Sequence, residues 1–404
     1  MNLPLCSKYR RPLRIGQAMR VGARDRQSAV LAMVTVFIYS FWMPAIPHPP
    51  TLVLKGRGTL LNVAHRFTRE DRQPFDDGWS STDAPAPVTV PTEVRWEDIG
   101  QAITRNHSPD ISFELGLNPY RGCEHGCSYC YARPSHSYLG LSPGLDFETR
   151  LIARRNIAER LRAELVRPGF VAQVLALGTV TDAYQPVERR LRLTRSVLEV
   201  LAQARLPVVI VTKGSGIERD LDLLAPMAAQ GLVAVYVSIT TLKDALARQM
   251  EPRAAAPYRR LRTLETLAAA GIPVGVSLSP QIPFLNDDME QVLDAAHAAG
   301  ARRAFYQVLR LPWELKPLFE DWLQRCFPDR AERVMARVTE LHGGKRYDPR
   351  FGLRMKGQGV WSQLLQQRFN QRCQRLGMNE SAVPLTTALF SPSALHGQAS
   401  LFDA

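Results

Sequence analysis

The sequence is poor in cysteine, has fewer acidic than basic residues, and lacks a clear apolar run of membrane-spanning length. Its 404 residues include six cysteines, three of them within eight residues and none between Tyr131 and Arg325. This distribution argues against a disulfide framework and predicts a reducing, cytoplasmic location. With 45% apolar residues the chain can bury a substantial core, so we expect one large catalytic domain with appendages.

The shortage of acidic residues gives a net charge of +13. Seven basic residues against Asp25 place six of these charges before residue 28. Because nearly half of the excess lies outside the main body of the chain, it favours a solvated arginine-rich surface over a dedicated polyanion site.

The apolar run from Ser28 to Met43 has sixteen residues and separates a basic segment from the proline-rich residues 44–50. A membrane-spanning helix needs about 20 residues, and no small-residue cleavage site marks a signal peptide. Two interpretations of residues 1–54 stay open: an anchor with a basic flank, or an extension that the working protein does not need. We expect no stable membrane association.

The clustered cysteines, Cys123, Cys127 and Cys130, follow a C-x3-C-x2-C spacing. Thiolate sulfur is the ligand that iron–sulfur clusters and zinc prefer. Gly122 and Gly126 allow a short loop to fold back so that the three side chains converge. Three thiolates are an incomplete ligand set, which predicts a metal centre with one open coordination position.

The same loop carries Tyr129 just before its last cysteine, and this pattern resembles the signature of radical S-adenosylmethionine (SAM) enzymes. Residues 118–133 are similar, more narrowly, to the spore-photoproduct-lyase-like branch, and within it to an uncharacterised bacterial group; the resemblance runs from about residue 55 to residue 377. It implies that the cysteines hold a [4Fe-4S] cluster whose fourth iron binds SAM. It also implies an external one-electron reductant of the flavodoxin or ferredoxin type. We exclude His125 from the ligand set, because a residue between ligands is expected to point outward or to hydrogen-bond nearby.

Apolar strands alternate with amphipathic helices after the cysteines, which predicts parallel βαβ units. The predicted strands are 111–117, 171–177, 207–212, 232–239, 273–278 and 303–309, and the predicted helices are 146–165, 191–204, 218–229, 259–270 and 287–299. Six units are too few for an eight-stranded barrel, so residues 111–312 are predicted to form a partial (β/α)6 TIM-type barrel, as the resemblance also implies. An irregular leader (55–110) precedes it. A helical region (313–377) and a disordered tail (378–404) follow it.

Loops that leave the carboxyl ends of parallel strands meet at one face, so polar residues there are candidates for the site. Thr179 and Asp182 offer oxygen acceptors for the ammonium group of SAM, although this loop could instead cap the next helix. By resemblance, Lys213 is a candidate partner for the SAM carboxylate, and Ser238 for its ribose or carboxylate. The predicted cofactor-binding residues are Tyr129, Gly178, Thr179, Asp182, Lys213 and Ser238.

Two further motifs each leave two interpretations open. Residues 55–58 (KGRG) either hold a phosphate or substrate carboxylate, or form a flexible turn. Residues 250–253 (MEPR) either line the substrate side or lock a loop through an ion pair between Glu251 and Arg253.

The lyase branch carries a further barrel cysteine that returns a hydrogen atom to the substrate radical, and this sequence has none. Cys326 and Cys373 lie in the helical region, where a cysteine usually acts as a small apolar residue. Tyr184, Tyr236 or Tyr306 is an alternative donor, although barrel aromatics more often serve packing.

We therefore predict a radical SAM enzyme that cleaves SAM reductively to a 5′-deoxyadenosyl radical. The substrate is unidentified, and a nucleic acid is a candidate by analogy with the lyase. The alternative is a non-catalytic iron–sulfur protein for electron transfer or sensing.

Overall fold

A computed structural model describes residues 56–67, 90–381 and 385–396. The strands are β1 (Glu93–Glu97), β2 (Thr104–Arg105), β3 (Leu115–Leu117), β4 (Tyr120–Arg121), β5 (Arg150–Arg154), β6 (Leu175–Leu177), β7 (Val208–Thr212), β8 (Val233–Ser238), β9 (Val274–Gln281) and β10 (Arg303–Val308). The helices are α1 (Asp146–Thr149), α2 (Ile157–Leu165), α3 (Glu188–Leu191), α4 (Leu193–Ala204), α5 (Leu221–Ala229), α6 (Asp244–Met250), α7 (Pro257–Ala269), α8 (Met289–Ala298), α9 (Leu315–Cys326), α10 (Pro328–Leu341) and α11 (Gly359–Arg375). Short 3-10 helices cover Arg133–Leu139, Ser215–Asp220 and Pro392–His396.

The main sheet contains six parallel strands whose spatial order follows the chain: β3, β6, β7, β8, β9 and β10. Strand β2 pairs antiparallel with β3 and extends that edge. Parallel neighbours joined by helical crossovers form the wall of a TIM-type barrel, and six such strands leave it incomplete. The predicted partial (β/α)6 barrel is confirmed.

The aliphatic core lies on the outer face of this sheet, between the strands and the helices. In β8, Val233, Val235 and Val237 belong to that core. Successive residues of a strand point to opposite faces, so Ala234, Tyr236 and Ser238 face the barrel interior. The inner face of β8 therefore ends in the small polar residue Ser238 at its carboxyl end.

A short segment bridges the two edges of the incomplete barrel. Asp110, which lies between β2 and β3, accepts hydrogen bonds from Arg354 Nε at 2.8 Å and Nη2 at 2.6 Å, and from the Gly352 N–H at 3.2 Å. At the other edge, the Val308 N–H in β10 donates to the Met355 carbonyl at 3.0 Å. Residues 352–355 thus connect the first and last parallel strands.

The predicted helix over residues 146–165 is wrong, because the structure divides this range into α1, β5 and α2. Strand β5 pairs parallel with β1 and antiparallel with β4 in a separate three-stranded sheet. Its sequence, RLIAR, buries Leu151 and Ala153 and leaves Arg150 exposed. This period-two pattern is too short to separate from a helical one by sequence alone, and pairing with distant strands decides it.

Helices α9, α10 and α11 confirm the helical character of the region after the barrel. Residues 385–396 then pack back on the barrel domain: Leu395 is buried, and Arg162 Nη1 donates to its carbonyl at 2.9 Å. The Ser391 N–H donates to the carbonyl of Ala204, at the end of α4. The expectation of a disordered tail is therefore wrong for residues 385–396.

Residues 1–54, with the apolar run of residues 28–43, lie outside the described residues. The described part of the leader contains β1 and β2, so it is less irregular than we predict. Among the residues that the structure describes, no helix combines the length and apolarity needed to cross a membrane.

Candidate metal centre and cofactor site

The three clustered cysteines lie on one loop, residues 122–131, which directly follows β4 and which we call the cysteine loop. Cys123 and Cys127 are buried, Cys130 is half-buried, and none of them forms a disulfide. Gly122 and Gly126 have φ angles of 80° and 65°, so the loop folds back in a conformation that favours glycine. The glycines therefore serve the turn that we predict for them.

The cysteine side chains form one electrostatic group. The pKa of the Cys127 thiol is raised to about 12, chiefly by burial and against the opposing charge of Lys213, and burial together with Asp182 raises the pKa of Cys123 well above its usual range. Without a metal these thiols stay protonated near neutral pH. A bound metal would supply the positive charge that stabilises the thiolates.

The donor set fits a multinuclear cluster better than a single ion. In the described part of the chain, no three His, Cys, Asp or Glu side chains are placed to hold one metal ion. In a cubane cluster each thiolate ligates a different iron, so the sulfur atoms need not meet at one point. Three cysteines on one loop match such a cluster with one iron left free of protein ligands.

Contacts with the loop after β6 hold the start of the cysteine loop. Asn118 Oδ1 accepts hydrogen bonds from the N–H groups of Val180 at 3.0 Å and Thr181 at 3.2 Å. Gln185, which is fully buried, accepts from the Glu124 N–H at 2.8 Å and donates Nε2 to the Gly122 carbonyl at 3.2 Å. The loop after β6 therefore positions the cysteines directly.

Asp182 belongs to this supporting layer. Its Oδ1 accepts from the Tyr184 N–H at 2.9 Å and Thr212 Oγ1 at 2.6 Å, and its Oδ2 accepts from the Lys213 N–H at 2.7 Å and lies 3.3 Å from His125 Nδ1. Burial alone would raise the pKa of this carboxyl, but the charge and hydrogen bond of His125 and the other donors lower it.

Three hydrogen bonds from the chain occupy acceptor sites of the Asp182 carboxylate, and the His125 ring lies beside it. The structure thus gives Asp182 a supporting contact that we do not predict: it ties the loop after β6 to the end of β7 and lies against His125 of the cysteine loop. His125 points to this carboxylate, in line with its exclusion from the ligand set.

The leader and α1 form a second support. Glu148 is fully buried, pairs with Arg133, and accepts from the N–H groups of Gly58 at 2.9 Å and Thr59 at 3.2 Å. A Cβ added at Gly58 would overlap the carbonyl of Gly126, so two main chains meet here without side chains between them.

Gly56–Gly58, the described part of the KGRG motif, therefore neither hold a phosphate or carboxylate nor form a flexible turn. Arg57 donates Nη1 to the Glu148 carbonyl at 2.9 Å and Nη2 to the Val90 carbonyl at 2.6 Å. Its guanidinium is occupied by the protein, and the segment forms the back wall of the cysteine loop.

Residues 250–253 form a third support. The Ser128 N–H donates to the Met250 carbonyl at 3.0 Å, and the Arg253 N–H donates to the His125 carbonyl at 3.3 Å. Glu251 accepts from the Tyr129 hydroxyl and pairs with Arg260. Of the two interpretations of the MEPR motif, a locked loop is correct, but Glu251 and Arg253 do not pair with each other.

Lys213 lies at the end of β7, beside the cysteine loop. Its Nζ is 5.8 Å from the centre of the Tyr129 ring. Burial lowers the pKa of this amine, but negative charge on Cys127 when it is ionised, and on Glu251, outweighs burial, so the pKa is raised and the amine is charged at neutral pH.

The remaining predicted cofactor residues also lie at strand ends. Gly178 follows β6 with φ 83°, and a Cβ there would lie 2.6 Å from the Val211 carbonyl oxygen, so packing against β7 alone explains this glycine. The carbonyl of Thr179 accepts from the Tyr131 hydroxyl. Ser238 is buried, and its carbonyl accepts from Arg260 Nη1 at 2.8 Å.

Aromatic and arginine side chains form two sets. One joins Tyr131, the last residue of the cysteine loop, to Arg310 after β10, and the other surrounds Arg66. The Arg310 guanidinium is 4.1 Å from the Tyr131 ring centre. The Arg66 guanidinium lies 4.5 Å from the Trp313 ring, 4.9 Å from the Phe67 ring and 5.1 Å from the Tyr138 ring. The four rings are between 43% and 68% exposed. We call the two sets together the aromatic rim; its members are Arg66, Phe67, Tyr131, Tyr138, Arg310 and Trp313.

The tyrosines considered as hydrogen-atom donors have packing or structural contacts. The Tyr184 hydroxyl donates to Asp220 at 3.1 Å. The rings of Tyr236 and Tyr306 pack on Phe305 and Phe369, at centroid distances of 5.3 Å and 4.9 Å.

The two described cysteines outside the loop occupy the positions that sequence predicts. Cys326 ends α9 and is half-buried, and Cys373 lies on α11 and is buried in the barrel core.

The chain resembles proteins of one superfamily. A family model for the radical SAM superfamily matches residues 117–296, which include the cysteine loop and β6–β9. An uncharacterised protein of Mycobacterium tuberculosis is 37% identical over 242 residues, covering 59% of this chain and 70% of the relative. One of Methanocaldococcus jannaschii is 25% identical over 221 residues, covering 54% and 78%.

Similarity also extends to solved structures. A structure of spore photoproduct lyase complexed with dinucleoside spore photoproduct matches with a TM-score of 0.50 and 13% identity, over 70% of this chain and 80% of that one. At this identity the match shows a shared fold.

Proposed function

Because this chain belongs to the radical SAM superfamily, whose members use a [4Fe-4S] cluster and SAM, we propose that Cys123, Cys127 and Cys130 hold that cluster and that the adjoining strand ends hold SAM. When bound, the two cofactors supply a 5′-deoxyadenosyl radical: one electron from an external reductant breaks the C5′–S bond of SAM and leaves methionine. The chain's own residues bind, orient and shield these groups.

The observation that carries this proposal is the position of Lys213, whose amine lies at the end of β7, 5.8 Å from the centre of the Tyr129 ring in the cysteine loop. The amine is half-buried, and the carboxylates that act on it are already engaged: Glu251 pairs with Arg260, and Asp182 accepts three hydrogen bonds from the chain. A SAM carboxylate at this point would give Lys213 a partner next to the cysteines. Ser238, at the end of the adjacent strand β8, is the second candidate contact.

Lys213→Ala is expected to weaken SAM binding while leaving the iron content normal. A charge-assisted contact of this kind is worth about 1.5 to 3 kcal/mol, so the dissociation constant should rise roughly ten- to a hundred-fold. The measurement is a SAM titration of the electron paramagnetic resonance signal of the reduced cluster.

Lys243→Ala is the matched control for this substitution. Lys243 follows the neighbouring strand but is half-exposed and pairs with Asp287, so its removal should leave SAM binding unchanged. Equal affinities for wild type and Lys213→Ala would refute the placement of the SAM carboxylate.

We further propose that the substrate is a nucleic acid presented with an unstacked base. The aromatic rim supports this proposal, because exposed rings with arginines beside them bind unpaired bases by stacking. Glu314 accepts from Arg66 Nη1 at 2.8 Å and 3.1 Å and from its main-chain N–H at 3.0 Å, which fixes the arginine among the rings. The structural relative was determined with a dinucleoside bound, which is the same chemical class.

Trp313→Ala and Tyr138→Ala are each expected to weaken binding of a single-stranded oligonucleotide. Stacking of a base on an aromatic ring is worth about 1–3 kcal/mol, which corresponds to roughly a five- to hundred-fold loss of affinity. Fluorescence anisotropy with single-stranded DNA, single-stranded RNA and duplex DNA measures the effect and shows which strand is preferred.

Tyr258→Ala serves as control, because Tyr258 is 69% exposed on α7 and does not belong to the aromatic rim. The substrate proposal fails if all three variants lose affinity equally, or if the wild-type protein binds none of the three probes.

A further inference from the structure

We infer that Glu251 is a positioning residue that joins the cysteine loop to the SAM-binding strand end and sets the reduction potential of the cluster held there. The inference rests on the proposed function, since it concerns the cluster that the cysteines hold. Its starting point is a fully buried carboxylate with partners on two sides.

On the first side, Glu251 lies within a segment that contacts four residues of the cysteine loop. Met250 and Arg253 bind the main chain at Ser128 and His125. Arg253 Nη2 also donates to Glu124 Oε1 at 3.1 Å, and the Tyr129 hydroxyl donates to Glu251 itself. The aromatic residue next to Cys130 is therefore held through its hydroxyl.

On the second side, the Glu251 carboxylate reaches the end of β8. It accepts from Thr240 Oγ1 at 3.0 Å and pairs with Arg260 Nη2. Arg260 in turn donates Nη1 to the Ser238 carbonyl at 2.8 Å and Nε to the Ala255 carbonyl at 2.6 Å. One buried ion pair thus connects the cysteine loop with the strand end where Ser238 is expected to meet SAM.

The charge of Glu251 also lies close to the cysteine loop, because its carboxylate accepts from the hydroxyl of Tyr129, which is next to Cys130. An anion in a low-dielectric site disfavours the addition of an electron to a nearby cluster, and a cation favours it. Because both members of the Glu251–Arg260 pair are at most 2% exposed, solvent screens neither charge.

Removal of either charge alone should therefore move the potential in opposite directions. Glu251→Gln keeps the shape of the side chain and leaves Arg260 unpaired, so the midpoint potential should rise. Arg260→Gln leaves Glu251 unpaired, so the potential should fall. The double variant Glu251→Gln/Arg260→Gln removes both charges and should return close to the wild-type value.

Redox titration of the reconstituted, full-length protein, followed by electron paramagnetic resonance, provides the measurement. Glu218→Gln is the matched control: Glu218 accepts from Arg259, which is next to Arg260 on the same helix, but it has no contact with the cysteine loop. Its potential should equal that of wild type.

The opposite signs separate a charge effect from a loss of structure, because a loosened loop would shift the single variants in one direction and the double variant at least as far. The inference is overturned if the two single variants shift the midpoint potential in the same direction, or if neither shifts it more than Glu218→Gln does. The proposed function stands in both cases. If Glu251→Gln does not fold, a potential lower for Arg260→Gln than for wild type supports the inference, and an equal or higher potential overturns it. Failure of the wild-type protein to bind iron would overturn the proposed function itself.

Discussion

Alanine at Cys123, Cys127 or Cys130 is expected to abolish binding of a cluster of about four irons and four sulfides per chain. The reason is the ligand count, because a centre with three protein ligands cannot lose one and keep its iron in competition with solvent thiols. Iron and sulfide analysis after anaerobic reconstitution, together with the visible absorption of the cluster, measures the loss.

Cys326→Ala and Cys373→Ala are the controls, since one thiol ends α9 and the other lies on α11, packed in the barrel core. Both variants should retain full iron content. Stoichiometric zinc without iron-dependent visible absorption in the wild-type protein would contradict the cluster assignment.

Gly58→Ala is expected to reduce iron content severely although it changes no ligand. The added methyl group would lie 2.8 Å from the Gly126 carbonyl carbon and closer still to its oxygen, so one of the two main chains must move. Overpacking of this kind costs typically 1–3 kcal/mol or more, and here the strain falls on the loop between Cys123 and Cys127. Iron content per chain and the thermal unfolding midpoint of the apo-protein together measure the effect.

Gly100→Ala is the matched control, because a Cβ at Gly100 would meet no atom within 4 Å and its backbone is not left-handed. It should bind iron like wild type. Normal iron content in Gly58→Ala would mean that the cysteine loop tolerates displacement, and that the close contact between the two glycines does not position the ligands.

The barrel and the cysteine motif are predictable from sequence because both signals are local. The sequence of β8 is an apolar run of the length typical of a strand, and this pattern does not depend on its neighbours in the sheet. Its predicted bounds, 232–239, differ from the observed Val233–Ser238 by one residue at each end. The three cysteines lie within eight residues, and Gly122 and Gly126 indicate a turn there.

The supports of the cysteine loop are not predictable in the same way. Gln185, Glu148 and Glu251 reach the loop from positions up to 122 residues apart in sequence. A buried glutamate or glutamine looks like a surface residue in sequence, since its partners are supplied only by the fold. The MEPR motif indicates Glu251, but Arg253, which is closer in sequence, is not its ion-pair partner; Arg260 is.

For Asp182, the sequence predicts the position but not the contacts. Its position after β6 predicts a site residue, and the structure does place it beside the cysteine loop. What the sequence does not reveal is that Thr212, Tyr184 and Lys213 supply its donors and that His125 lies beside it. We therefore expect Asp182→Ala to disturb iron binding, unlike Lys213→Ala.

The most direct test of the account is the fate of SAM on the reconstituted, anaerobically reduced protein. We predict that the wild-type protein forms 5′-deoxyadenosine and methionine in equal amounts. Cys127→Ala should form neither product, and Lys213→Ala should form less of both at limiting SAM. A protein that binds a full cluster but shows no cleavage of SAM and no change of its electron paramagnetic resonance signal on SAM addition would contradict it, and would favour the non-catalytic electron-transfer alternative.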